Sequence, residues 1–77
     1  MTQDELRQLF SELLEVDDLT SEDNFFDLGG SSVLALRLLL ELDKRSGVTL
    51  SLIDVLRNPT AESLARCMAQ AQTNSPA

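Results

Sequence analysis

The stretch FFDLGGSSVLAL, Phe25 to Leu36, places two glycines and two serines between a pair of phenylalanines and a leucine-rich run. Glycine loses much conformational entropy on folding, and serine is a poor residue for a helix interior. Four such residues together therefore predict a turn that leads into a helix. One serine is enough to cap that helix, which leaves the second serine available for another role.

The composition predicts one small domain built from helices. The chain has 77 residues, of which 43% are hydrophobic, and leucine supplies most of the apolar mass. Histidine is absent, which removes the commonest general base and metal ligand. The single cysteine, Cys67, excludes an internal disulfide and a cysteine cluster for zinc. We therefore expect no metal site, and we expect a cytoplasmic protein.

The net charge of −7 is unevenly distributed. Residues 1–31 carry nine acidic residues against Arg7, whereas the remainder carries four acidic and five basic residues. An acidic half repels phosphate backbones and disfavours nucleic-acid binding. It favours basic protein surfaces, although acidic residues also keep small domains soluble. The apolar runs are too short to span a membrane, and polar residues directly after Met1 predict no signal peptide.

The first half of the chain predicts a helix followed by a long loop. Thr2 and Glu5 have the spacing of a capping box, and the helix that follows should end near residue 15 or 16. Residues 17–30 mix acidic, polar and glycine residues without a sustained period, which predicts a loop. Phe25, Phe26 and Leu28 are expected to hold this loop on the core.

The second helix should begin at Ser31 or Ser32 and end near Ser46, with Gly47 as a left-handed cap. At 100° per residue it has two apolar faces. One face suffices for the core: Ala35, Leu38, Leu39 and Leu42. The other face is flanked by charge: Val33, Leu36 and Leu40, beside Arg37, Asp43 and Lys44. Burial on both sides and an exposed docking strip both fit this pattern, and the nearby turn favours docking.

The last third of the chain predicts a brief third helix that stops before Asn58-Pro59, and a fourth helix capped by Thr60. The polar residues from Gln70 onward predict fraying. Residues 1–70 are thus expected to form the domain, and residues 71–77 a flexible tail.

Three roles are open to the two serines. Catalysis would need a base, yet the chain has no histidine, and Lys44 would lie about three turns from Ser32 on one helix. Nucleotide binding lacks the P-loop lysine and the Rossmann spacing. Modification by another enzyme needs only an exposed hydroxyl, and a helix N-terminus favours an attached phosphodiester. Modification and simple capping both remain open on these grounds.

Residues 23–33, DNFFDLGGSSV, resemble the carrier-protein motif (D)NFFxLGGxSL of nonribosomal peptide synthetases. Residues 58–60, NPT, followed by Leu64-Ala65, resemble the closing element of the same family, and the resemblance extends from Thr2 to Met68. It implies an all-α, four-helix carrier domain without catalytic residues of its own. It also implies that Ser32 holds a 4′-phosphopantetheine arm, transferred from coenzyme A by a phosphopantetheinyl transferase. The thiol of the arm would carry acyl or aminoacyl groups as thioesters.

The same resemblance implies the partners of the domain. They are the transferase, adenylation or acyltransferase enzymes, and downstream condensing enzymes. The surface expected to contact them consists of five residues: Ser31, Val33, Leu36, Arg37 and Leu40. Ser31 stands where the family usually has His or Asp, and Val33 replaces the common Leu. Both departures lie on the docking surface and bear on which partners are recognised.

The LGG and NFF elements favour a nonribosomal peptide or hybrid polyketide pathway. We also expect a monomer. An acyl carrier of a polyketide pathway is one alternative, and a helical interaction module without a prosthetic group is another. Because Met1 directly precedes a helix cap and the tail is short, the sequence favours a stand-alone carrier over an excised domain.

Overall fold

The computed structural model describes residues 1–73, which form four helices. They are α1 (Gln3–Leu14), α2 (Ser32–Ser46), α3 (Leu52–Arg57) and α4 (Ala61–Thr73). The prediction of an all-α fold with a short third helix and a long first loop is confirmed. In the described part of the chain, no helix is both long and apolar enough to cross a membrane.

Two helices begin with a capping box. In α1 the Glu5 amide donates to the Thr2 hydroxyl at 3.2 Å, and the Thr2 amide donates to the Glu5 carboxylate at 3.1 Å. The bonds that the Thr2 amide and the Thr2 hydroxyl donate to the Glu5 carboxylate favour its charged form and lower the pKa of Glu5. In α3 the same reciprocal pair forms between Ser51 and Asp54, which the sequence analysis did not predict. The reciprocal bonds define where a helix of only six residues begins.

The fourth helix is longer than the sequence predicts. The Ser63 amide donates to the Thr60 hydroxyl at 3.1 Å, which confirms Thr60 as the cap. The helix continues to Thr73, past the predicted start of fraying at Gln70, because Ala71 packs on the core one turn beyond buried Met68. The boundary between domain and tail stays a prediction, since residues 74–77 lie outside the described residues.

The core lies where α1 packs against α2 and α4, and α3 closes the end between α2 and α4. Its buried side chains are Leu6, Leu9, Phe10, Leu19, Phe25, Ala35, Leu38, Leu42, Val48, Val55, Ala61, Leu64 and Met68. No polar or charged residue is buried among those described. One apolar face of α2 thus faces the core, as predicted, although Leu39 is only half-buried.

The long loop is held on the core by Phe25, as predicted. Its side chain is fully buried, with the ring centroid 5.0 Å from that of Phe10 in an edge-to-face arrangement. Its amide donates to the Pro59 carbonyl at 2.7 Å. Phe26 and Leu28 are half-buried against the same core. The loop is therefore tied to α1 and to the start of α4 before the chain enters α2.

The two glycines before α2 are required for different reasons. Gly29 has a φ of +102°, a conformation that side chains with a Cβ rarely adopt. Gly30 instead lies against Phe25, and a Cβ there would come within 2.5 Å of the ring and 2.6 Å of the Phe25 carbonyl oxygen. The Gly30 amide also donates to that oxygen at 3.0 Å. The close approach of Gly30 to Phe25 fixes the position of the backbone two residues before Ser32.

We expect Gly30→Ala to destabilise the fold strongly. The added methyl group meets a buried ring and a backbone atom, neither of which can move easily, so we expect a loss of about 3 kcal/mol. For a domain of this size that corresponds to a melting temperature lower by about 12–24 °C, measurable by circular dichroism.

Gly47→Ala is the matched control. Gly47 also has a positive φ, of +74°, but an added Cβ would meet no atom within 4 Å. Backbone strain alone should lower the stability by about 1 kcal/mol. A Gly30→Ala melting temperature equal to or above that of Gly47→Ala would contradict the proposed contact.

Candidate functional site

The end of the loop forms a turn around Asn24. Its side-chain oxygen accepts hydrogen bonds from the amides of Phe26, at 2.9 Å, and Asp27, at 3.2 Å. The Leu28 amide donates to the Asn24 carbonyl at 3.2 Å. Asparagine closes such turns by replacing a backbone acceptor with its own side chain. The turn directs the chain from the buried Phe25 toward the start of α2.

Ser31 is the N-cap of α2. Its backbone is extended, with φ −121° and ψ 174°, and its hydroxyl accepts from the Leu34 amide at 3.3 Å. Its carbonyl accepts from the Ala35 amide at 2.8 Å. The sequence left open which serine caps α2; in the structure the cap is Ser31, and the helix needs no second capping side chain.

Ser32 is the first residue of α2 and is exposed. Among the residues that the structure describes, its hydroxyl has no hydrogen-bond partner. The first turn of α2 carries no acidic residue, so nothing there offsets the positive end of the helix dipole. An exposed, unpartnered hydroxyl at this position fits a covalently attached phosphodiester, whose negative charge the helix N-terminus stabilises.

The surroundings of Ser32 do not provide catalytic groups. The chain has no histidine, and the only lysine, Lys44, lies twelve residues further along the same continuous helix, about 18 Å away. In the described part of the chain, no group of three or more His, Cys, Asp or Glu side chains is placed to hold a metal ion. A nucleophilic serine needs a base within hydrogen-bond reach, so the geometry suits a hydroxyl that another enzyme modifies.

The second apolar face of α2 is exposed, so the helix is not buried on both sides. Val33, Leu36 and Leu40 retain 68%, 51% and 62% of their accessible surface. We call these three residues the α2 strip. Arg37 and Lys44, both exposed, flank it on the side toward α1. The strip extends from the residue after Ser32 along two turns of the helix.

Two grooves lie beside Leu40. One has a volume of about 400 Å³ and is mostly apolar, with Leu36, Leu39, Leu40 and Leu50 in its wall beside Asp43 and Thr49. The other has the same volume and is lined by Leu13, Arg37, Leu40, Glu41 and Lys44. Leu40 lines both, so its side chain forms a ridge between an apolar groove and a charged one.

A second exposed apolar pair lies on α3. Ile53 and Leu56 retain 58% and 54% of their accessible surface, and only Val55 of this helix is buried. The sequence analysis did not identify them as surface residues. Ile53 and Leu56 are three residues apart and therefore lie on one face of α3, whereas Val55 lies on another face. This spacing is the feature of the sequence that could have separated them from Val55.

Comparison with known proteins identifies the family. Residues 4–68 match the family described as the phosphopantetheine attachment site. Surfactin synthase subunit 1 of Bacillus subtilis (strain 168) is 32% identical over 76 residues, which cover 99% of this chain and 2% of that protein.

Two solved structures have the same fold. One is the phosphopantetheine transferase Sfp in complex with coenzyme A and a peptidyl carrier protein (TM-score 0.86, 26% identity, 91% of both chains). The other is McyG A-PCP complexed with phenylalanyl-adenylate (TM-score 0.82, 37% identity, 87% of this chain and 10% of that chain).

The chain therefore spans only a small part of the large proteins that it matches. The family match covers all four helices, from α1 to the buried end of α4, and includes the turn and the two serines. The likeness in fold extends over nine-tenths of the chain. The chain belongs to the phosphopantetheine-attachment family and is a peptidyl carrier domain of the nonribosomal peptide synthetase type.

Proposed function

We propose that Ser32 is the residue to which phosphopantetheine is attached. The observation that carries this proposal is the contrast between the two serines. The Ser31 hydroxyl is occupied by the cap of α2, whereas the exposed Ser32 hydroxyl has no hydrogen-bond partner among the described residues. Their order along the chain also agrees with the LGGxS motif.

The attachment reaction needs a phosphopantetheinyl transferase. In it, the Ser32 oxygen forms a bond to the phosphorus next to the pantetheine of coenzyme A, and the pyrophosphate bond breaks. The hydroxyl proton leaves, and adenosine 3′,5′-bisphosphate is released. Because the Ser32 hydroxyl has no hydrogen-bond partner among the described residues, we propose that the transferase accepts that proton. When attached, the arm supplies a terminal thiol that carries acyl or aminoacyl groups as thioesters.

Cys67 is the one thiol in the sequence of this chain, and its surroundings lower its reactivity. It is half-buried on α4, and burial together with the negative charge of Asp54 raises the pKa of its thiol. A raised pKa lowers the fraction of thiolate, which is the form that exchanges thioesters. Transfer of acyl groups from the arm to Cys67 is therefore disfavoured.

The α2 strip, with Ser31 and Arg37 beside it, is the proposed docking surface for partner enzymes. The proposed partners are a phosphopantetheinyl transferase, adenylation or acyltransferase enzymes, and downstream condensing enzymes. Support comes from the position of the strip directly after Ser32 and from its exposure. The two solved structures described above contain a transferase and an adenylate-bound A-PCP. Attachment to one domain raises the effective concentration of the cargo at each partner.

The proposal also covers the pathway, the cellular location and the oligomeric state of the domain. We assign the domain to nonribosomal peptide or hybrid polyketide synthesis, and we propose that it acts as a cytoplasmic monomer. The NFF and LGG elements support a peptide pathway over a purely polyketide one. The net charge of −7 opposes self-association, since like charge keeps copies of a domain apart.

Mass spectrometry tests the attachment site. Incubation with coenzyme A and a broad-specificity phosphopantetheinyl transferase should add the mass of one phosphopantetheine to the chain. Ser32→Ala should abolish this gain, because it removes the accepting oxygen. Loading of the Ser32→Ala protein would show that the site lies elsewhere.

Ser31→Ala is the control for that experiment. It removes the cap of α2 and should lower the stability by about 1 kcal/mol, yet the protein should still gain one phosphopantetheine. A helical interaction module without a prosthetic group predicts no gain of mass for any of the three proteins.

The second test concerns the α2 strip. Leu40→Glu should lower kcat/KM for phosphopantetheine transfer by about 5- to 30-fold, the effect of removing about 1–2 kcal/mol of apolar contact. Because Leu40 is 62% exposed, the melting temperature should change little. The rate of phosphopantetheine transfer is measured from reactions quenched at successive times, in which the gain of mass is followed.

Leu38→Ala is the matched control for stability. Leu38 lies on the opposite face of α2 and is fully buried, so its truncation should lower the stability by about 2–5 kcal/mol. A comparable loss of stability in Leu40→Glu would place Leu40 in the core. An unchanged transfer rate would remove it from the docking surface.

A further inference from the structure

The cationic side chains of the domain divide into two groups. Three form salt bridges with carboxylates: Arg7 with Asp4, Arg45 with Glu12 and Glu41, and Arg66 with Glu62. The other three have no ion-pair partner within residues 1–73: Arg37, Lys44 and Arg57. Since the chain carries 13 acidic residues, unpaired cations are not the result of a shortage of carboxylates.

Two of the three unpaired cations lie in one groove. Arg37 and Lys44 are two turns apart on α2 and line the 400 Å³ groove beside Leu40. Glu41 is the acidic residue in that wall, and its carboxylate is bound by the Arg45 side chain at 3.2 Å. Because Arg45 also pairs with Glu12, these two carboxylates share one arginine, and Arg37 and Lys44 leave the groove with a small excess of positive charge.

The groove on the other side of Leu40 is apolar. Leu36, Leu39 and Leu50 line it, and the carboxylate of Asp43 at its edge accepts a hydrogen bond from the Thr49 hydroxyl at 3.1 Å. An apolar side chain can enter this groove without meeting an unpaired cation. The ridge at Leu40 thus separates an apolar subsite from a positive one.

We propose that the α2 strip binds a partner segment that presents an apolar side chain next to a carboxylate. The apolar side chain enters the groove of Leu36, Leu39 and Leu50, and the carboxylate lies against Arg37 and Lys44. This inference rests on the proposed docking role of the strip and specifies the chemistry of its partner. The partner surface at this place is acidic, although the carrier itself has a net charge of −7.

The position of the charges decides between a basic and an acidic partner. Of the nine acidic residues in residues 1–31, Glu12 forms an ion pair with Arg45 on α2, and none of the nine lines the groove of Arg37 and Lys44. At physiological salt, exposed charges farther away than about 8 Å are largely screened, so the groups in contact determine specificity. The acidic first half influences long-range approach, whereas Arg37 and Lys44 select the bound surface.

The test uses a matched pair of helical peptides of about 16 residues as probes. Both have leucines at every third or fourth position; one carries glutamates beside the leucines, and the other carries lysines at the same positions. Each is titrated into the ¹⁵N-labelled, unmodified 77-residue protein at physiological ionic strength, where charges distant from the grooves are screened, and amide shifts are followed by NMR. The glutamate peptide should bind about 10-fold more tightly, the effect of two exposed charge pairs. The largest shifts should lie in residues 36–44 and 50.

Charge reversal provides the decisive variant. Arg37→Glu combined with Lys44→Glu should reverse the preference in favour of the lysine peptide. The control, Arg57→Glu combined with Arg66→Glu, changes the net charge by the same amount outside the two grooves and should keep the preference of the native protein. Added salt should reduce the preference in every protein that shows one.

Several outcomes would overturn the proposal. They are equal or tighter binding of the lysine peptide by the native protein, shifts confined to other surfaces, absence of binding by both peptides, and loss of the preference in the control variant. If the Arg37/Lys44 variant fails to fold, the relative affinity of the two peptides for the native protein still tests whether the groove prefers a carboxylate. Because the titration uses unmodified protein, failure of the attachment at Ser32 would appear only in the separate mass measurement.

Discussion

The contact between the Gly30 backbone and the Phe25 ring is the constraint on which the position of Ser32 depends. Phe25 is fixed by burial against Phe10 and by its hydrogen bond to Pro59, and Gly30 can lie against it only because it lacks a Cβ. The loop is also tied to α4, where the Glu62 amide donates to the Ser21 carbonyl at 3.0 Å. Packing on α1 and α4 therefore determines where α2 begins, despite the length of the loop that precedes it.

The second helix has two tasks that place opposite demands on its apolar residues. Ala35, Leu38 and Leu42 are fully buried, and they stabilise the fold. The three residues of the α2 strip contribute little to stability, because burying apolar surface is what provides the free energy. A sequence selected for stability and solubility alone would carry polar side chains there. Their retention next to an exposed Ser32 is therefore an argument for binding.

Sequence reasoning predicted the elements that depend on local chemistry. The caps at Thr2, Gly47 and Thr60 and the turn before α2 follow from the conformations that each residue type prefers. Contacts between distant segments could not be predicted in this way. Periodicity assigns residues to faces but does not show which face another helix covers, so the exposure of the α2 strip and of Ile53 and Leu56 needed the structure. The close approach at Gly30 is likewise a tertiary contact, and the sequence shows only that a glycine is there.

A carrier has to release each partner before it meets the next, and the charge distribution of this domain suits that requirement. A strip of three apolar side chains provides modest affinity, and exposed ion pairs add little to it. Their main effect is on the choice and orientation of the partner, since a surface with the wrong charge is rejected. The net charge of −7 has a different effect, because like charge repels copies of the domain from one another. Under the proposals made above, the acidic first half and the positive groove of Arg37 and Lys44 do not oppose each other: the first would act against self-association, and the second would select the partner.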